Sequence, residues 1–95
     1  MWEKILIKKG DVIAREIAGE TILVPVRGNL TDLQRIWSLN PTAGYIWKNL
    51  DGRKSLADIH KGMLDAFDVE EKEAALDMQE LITGLLDAGL VEEKS

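Results

Sequence analysis

The chain has no cysteine among its 95 residues. That excludes a disulfide framework, a thiolate nucleophile, and a Cys-ligated zinc or iron–sulfur centre. Histidine occurs once, as His60, and nothing near it in the sequence supplies a nucleophile or an orienting partner for acid–base work. His60 is therefore expected to be an exposed helix residue. Aromatics are sparse at 5%, and proline occurs twice, at Pro25 and Pro41. No apolar run approaches the roughly 18–20 residues of a membrane span, and the short N-terminal run Ile5-Leu6-Ile7 is no signal-peptide core. The chain is expected in the cytosol, without a membrane partner. It holds no GxGxxG motif, and Gly84 and Gly89 have P-loop spacing but are followed by Leu90-Val91 in place of Lys-Ser/Thr. Glu70, Glu71 and Glu73 lie outside any calcium-loop pattern and read as an acidic first helical turn. No catalytic residue, cofactor or metal site is expected.

What is present is the makeup of one globular domain: 45% hydrophobic, 31% charged, and short enough for a single core. The net charge of −5 is unevenly spread. Residues 1–54 carry nine Lys/Arg against six Asp/Glu; residues 55–95 carry three Lys/Arg against eleven Asp/Glu. The C-terminal part, at −8, is a poor match for a polyanion.

The first 39 residues read as extended and residues 40–91 as helical. Asp11–Ile17 and Thr21–Val26 flank Ala18-Gly19-Glu20, a hairpin signal. Pro25, which has no N–H to donate, belongs at a strand end or sheet edge. Glu3–Lys8 alternates weakly, so residues 1–10 read as an extra strand or a flexible extension, pairing within the chain or with another molecule. Gln34–Leu39 reads as a third strand of mixed polarity, suited to an exposed edge. Trp37 on that strand reads either as core or as a half-exposed ligand contact; Trp47 reads as core.

Asn40-Pro41 opens a helix to Leu50, with Ala43, Ile46, Trp47 and Leu50 on one stripe and Asp51-Gly52 as its stop. Ser55 and Asp58 resemble a capping box ahead of Leu56, Ile59, Met63 and Phe67. Asp68 either ends that second helix or caps the third. The third helix runs to about Ala88, burying Ala74, Met78, Leu81, Ile82 and Leu85, with Gly89 as its cap. Leu76, Gln79, Thr83 and Leu86 form a second, semi-apolar strip that need not be buried. The fold class is α+β: a three-stranded antiparallel sheet followed by a three-helix bundle, winged-helix-like. A winged-helix reader of DNA is one functional class for this order, but the Glu70–Ala88 helix has Lys72 as its only base against six acids. A structural module that dimerises through a strand edge is another.

Several segments are similar to the PqqD family, small proteins of pyrroloquinoline quinone (PQQ) biosynthesis and related peptide-modifying pathways. They are Val24-Pro25-Val26-Arg27-Gly28, Ile36-Trp37-Ser38-Leu39-Asn40-Pro41-Thr42-Ala43-Gly44-Tyr45-Ile46-Trp47, Leu50-Asp51-Gly52, Ser55-Leu56-Ala57-Asp58-Ile59, and Leu85-Leu86-Asp87-Ala88-Gly89-Leu90-Val91. The resemblance covers roughly residues 11–91. It implies a non-catalytic recognition element for ribosomally made, modified peptides. Such an element binds a precursor's leader by strand addition on the third strand, beside the third helix, and presents the peptide to a modifying enzyme, often a radical S-adenosylmethionine (SAM) enzyme. Carried onto this chain, Arg35, Ile36, Trp37 and Ser38 are the strand side of that groove, and Leu76, Gln79, Thr83 and Leu86 the helix side. A basic or amphipathic leader suits the acidic helix.

Overall fold

The computed structural model describes residues 2–9, 12–25 and 36–94. Among these residues, six strands and three helices follow one another as β1 (Ile5–Lys8), β2 (Val12–Ile17), β3 (Glu20–Pro25), β4 (Trp37–Leu39), α1 (Pro41–Lys48), β5 (Asp51–Ser55), α2 (Leu56–Ala66), α3 (Glu71–Asp87) and β6 (Val91–Glu93). The strands form two antiparallel sheets, β2-β3-β4 and β5-β1-β6.

The first sheet is the expected one. Ile17 pairs with Glu20, leaving Ala18-Gly19 as a two-residue loop with φ of 52° and 83°. Two successive positive φ values belong to the type I′ turn, whose twist matches that of the strands it joins. Pro25 ends β3. The third strand is shorter than the sequence suggested, because Ile36 carries no strand pairing and Gln34 and Arg35 lie outside the described residues.

The second sheet was not expected. The alternating N-terminal run becomes its central strand, pairing with β5 on one side and β6 on the other. Leu6 is the reason that strand lies inside the fold: its side chain is 1% exposed in the common core. The residues read as a helix stop, Asp51-Gly52, begin β5, and α1 ends two residues earlier than predicted, at Lys48. Asp51 shapes this corner through its carboxylate, which accepts from the backbone N–H groups of Arg53 at 2.9 Å and Lys54 at 3.2 Å.

The helix starts follow the sequence closely. Asn40 Oδ1 accepts from the N–H of Ala43 at 2.9 Å, with Pro41 in the first turn. Ser55 Oγ accepts from the N–H of Asp58 at 3.2 Å, and the Asp58 carboxylate accepts from the N–H of Ser55 at 3.4 Å, completing the capping box. The next two amides of α2, Leu56 and Ala57, donate to the carbonyls of Lys4 and Trp2, so the N-terminal segment satisfies donors that a helix start leaves unpaired. Asp68 caps neither neighbour: α2 ends at Ala66, and α3 starts after Glu70 without a side-chain cap. At the far end of α3, Leu90 N–H donates to Leu85 C=O and Gly89 N–H to Leu86 C=O, a Schellman closure with Gly89 at φ 74°.

The helices pack on the inner face of the first sheet. Leu23 and Leu39 from that sheet meet Ile46, Trp47, Ile59, Met63, Met78, Ile82 and Leu85 in one core. His60 departs from its expected exposure. It is half-buried, with the Trp2 ring centroid 5.1 Å away and a buried Nε2 that has no hydrogen-bond partner. Among the described residues, no helix is long and apolar enough to cross a membrane.

Candidate peptide-binding groove

β4 is an edge strand. It pairs with β3 through Thr21–Leu39, Ile22–Ser38 and Leu23–Trp37, and its other side is unpaired among the described residues. Alternate residues of such an edge point their N–H and C=O groups away from the sheet, where an extended chain can pair with them. The side-chain alternation follows: Leu39 is buried and Trp37 half-buried on the inner face, while Ser38 is exposed.

Among the described residues, two hollows adjoin this edge. The first, about 490 Å³, is lined by Ile36, Trp37 and Ser38 on one side and by Gly84, Asp87 and Ala88 of α3 on the other. The second, about 400 Å³, runs on from Trp37, Ser38 and Leu39 toward Asn40 and Thr42, with Asp77, Glu80 and Leu81 of α3 facing them. α3 therefore runs antiparallel to β4, its C-terminal end beside Ile36 and its middle beside Leu39.

Trp37 lies between the two hollows and is neither wholly core nor free. It packs against the hydrophobic core and lines both hollows. Its ring reaches this position because residue 84 has no side chain. A β-carbon there would lie 2.8 Å from ring atom Cη2 and 3.4 Å from Cζ3. Gly84 thus costs α3 some helix propensity and in exchange lets the indole approach the helix closely.

The predicted strand-side residues Ile36, Trp37 and Ser38 come together here, while Arg35 lies outside the described residues. The predicted helix-side residues do not join them. Leu76, Gln79, Thr83 and Leu86 line neither hollow; at 100° per residue they lie about 80–160° round α3 from Gly84. Leu76 and Leu86 are exposed on that other face, at 60% and 42%. The wall facing β4 is Asp77, Glu80, Leu81, Gly84, Asp87 and Ala88 instead. Hydropathy favoured the face of Leu76, Gln79, Thr83 and Leu86, because carboxylates and a glycine read as a solvated surface. The signal that could have found them was a lone glycine inside a strong helical pattern, at a spacing that puts three acids on its own face.

Among the described residues, no cluster of three or more His, Asp or Glu is placed to hold a metal ion. What the site offers is a strand edge, an indole floor and a rim of carboxylates.

Residues 20–91 match the family model for coenzyme PQQ synthesis protein D (PqqD). The chain belongs to the PqqD family. Two solved structures share the fold of this PqqD-family domain. One is TbiB1 in complex with the TbiA(beta) leader peptide, 18% identical, with a TM-score of 0.71 over 94% of this chain and 98% of that one. The other is lasso peptide synthetase B1 complexed with the leader peptide, 23% identical, with a TM-score of 0.70 over 92% of this chain and 96% of that one. No curated protein gave a significant sequence match. The family match begins at Glu20, so β1 and β2 lie outside it.

Proposed function

We propose that this PqqD-family domain binds the leader of a ribosomally made precursor peptide and presents it to a modifying enzyme, without itself catalysing a reaction. The leader adds as a strand to the free edge of β4 and rests against α3. Backbone pairing along Trp37–Leu39 supplies affinity for any extended chain, and the two hollows beside Trp37 select among side chains. The observation that carries this reading is the coincidence of an unpaired strand edge with hollows that open directly onto it. Two proteins of the same fold, TbiB1 and lasso peptide synthetase B1, are known in complexes with leader peptides, which supports it further. Ile36, Trp37 and Ser38 form the strand side, with Arg35 proposed to continue it; on the helix side Asp77, Glu80, Leu81 and Gly84 take the place of Leu76, Gln79, Thr83 and Leu86. A radical SAM enzyme is the partner the family resemblance implies.

The test is an amide-shift titration with the leader of a precursor peptide encoded beside this chain's gene. Shifts should centre on Ile36–Leu39 and Asp77–Ala88. Shifts confined to β2 or to β5-β1-β6 would overturn strand addition on β4.

A further inference from the structure

The groove beside β4 does not end with that strand. A third hollow, about 180 Å³, shares Thr42, Met63 and Asp77 with the second and runs on to the start of α3. The three form one trough along the whole of α3, from Asp87 to Glu70. At about 1.5 Å per helical residue the trough is about 25 Å long, room for seven or eight residues of extended peptide at about 3.3 Å each.

Among the described residues its lining charges are of one sign. Asp68, Glu70, Glu73, Asp77, Glu80 and Asp87 line it, and no Lys or Arg does among the described residues. No ion pair engages any of the six among the described residues. The acids flank a short apolar floor of Trp37, Leu81 and Gly84. A strand added to β4 points alternate side chains toward α3, so one parity of its residues meets this wall.

Resting on the strand-addition reading above, we infer that the trough selects a cationic leader segment with an alternating pattern. One aliphatic residue sits over Trp37 and Gly84. Lys or Arg residues of the same parity lie on both sides of it, one reaching Asp87 and others reaching Glu80, Asp77 and the acids beyond. Each exposed pair contributes a factor of roughly two in affinity, so three together give about tenfold. The preference weakens as salt rises, because these pairs are open to solvent.

A displayed library of random 12-residue peptides, selected on the intact protein, tests this. Enriched peptides should carry Lys or Arg at alternate positions around an aliphatic residue. The best of them should bind about tenfold more weakly to the triple variant Asp77→Asn, Glu80→Gln, Asp87→Asn. It should lose little on Glu71→Gln, Glu92→Gln, Glu93→Gln, which removes as much charge away from the trough. All six positions are exposed, and thermal melts of both variants confirm folding. Neutral or acidic winners that still shift the amides of Ile36–Leu39 would overturn the charge selectivity and leave strand addition standing. Winners that leave those amides unshifted, or no enrichment at all, would overturn both. Equal losses on the two triple variants would reduce the effect to net charge and overturn the trough.

Discussion

The indole of Trp37 lies against the backbone of Gly84, so close that a β-carbon on the glycine would be 2.8 Å from the ring. This contact sets the distance between β4 and α3, and it determines how much of the groove is floor and how much is open. Gly84→Ala restores helix propensity worth about 0.5–1 kcal/mol and sets it against a steric clash with a rigid ring. The ring has an open hollow to swing into, so the fold should survive with a melting temperature within a few degrees of the parent. The displaced indole then fills that hollow, and leader binding should fall at least fivefold. Thermal melts and a binding isotherm measure the two effects; unchanged affinity would show that the hollow is not used.

Trp37→Ala acts from the other side of the same contact. The residue is half-buried, so its loss should cost about 1–2 kcal/mol, less than for a fully buried Trp. Binding should fall by tenfold or more if the indole anchors the peptide. Denaturant melts and calorimetric titration separate the two. A folded variant with parental affinity would make Trp37 a packing residue only.

Leu6→Ala tests whether the second sheet belongs to the folding unit. Leu6 is 1% exposed on the central strand of β5-β1-β6, outside the matched family region. Truncating it should cost about 3 kcal/mol, seen as a large fall in the denaturation midpoint. A change below about 1 kcal/mol would mean that β1 is an accessory to an independent core.

Ala18→Asn should stabilise the protein. Ala18 occupies the left-handed region at φ 52°, where asparagine is favoured and alanine is not. The gain should be about 0.5–1 kcal/mol, raising the melting temperature by a few degrees. Since residue 18 lies at the far end of the hairpin from Trp37, leader affinity should not change.

Asp51 gives the fold a dependence on acid pH. The backbone N–H groups of Arg53, and next those of Lys54, hold its carboxyl below the usual carboxylate range. A lowered acid contributes stability that is complete above its unfolded pKa, about 3.9, and is lost as pH falls through the lower folded value. The melting-temperature difference between the parent and Asp51→Asn should therefore be constant from pH 5 to pH 8, in ranges about one unit or more above that value, and shrink below about pH 4. A difference that persists undiminished into stronger acid would assign the effect to something other than this ionisation.

Much of this protein was decided locally and could be read from the chain. Asn40-Pro41, the Ser55–Asp58 box and Gly89 mark helix ends because each acts through hydrogen bonds to amides a few residues away. The stripes of Ile46 and Trp47, of Ile59 and Met63, and of Met78, Ile82 and Leu85 are buried as their 3.6-residue spacing requires. Other features depend on partners distant in sequence. β1 finds β5 and β6 some 45 and 85 residues on, a pairing that local periodicity does not encode. The face of α3 beside β4 depends on the close approach of Gly84 to a Trp 47 positions earlier, which any β-carbon would obstruct. The lone glycine marks one side of that contact in the helix pattern, but which residue it meets is not encoded locally. Tertiary packing alone turned a run of carboxylates that looked merely solvated into the wall of a groove.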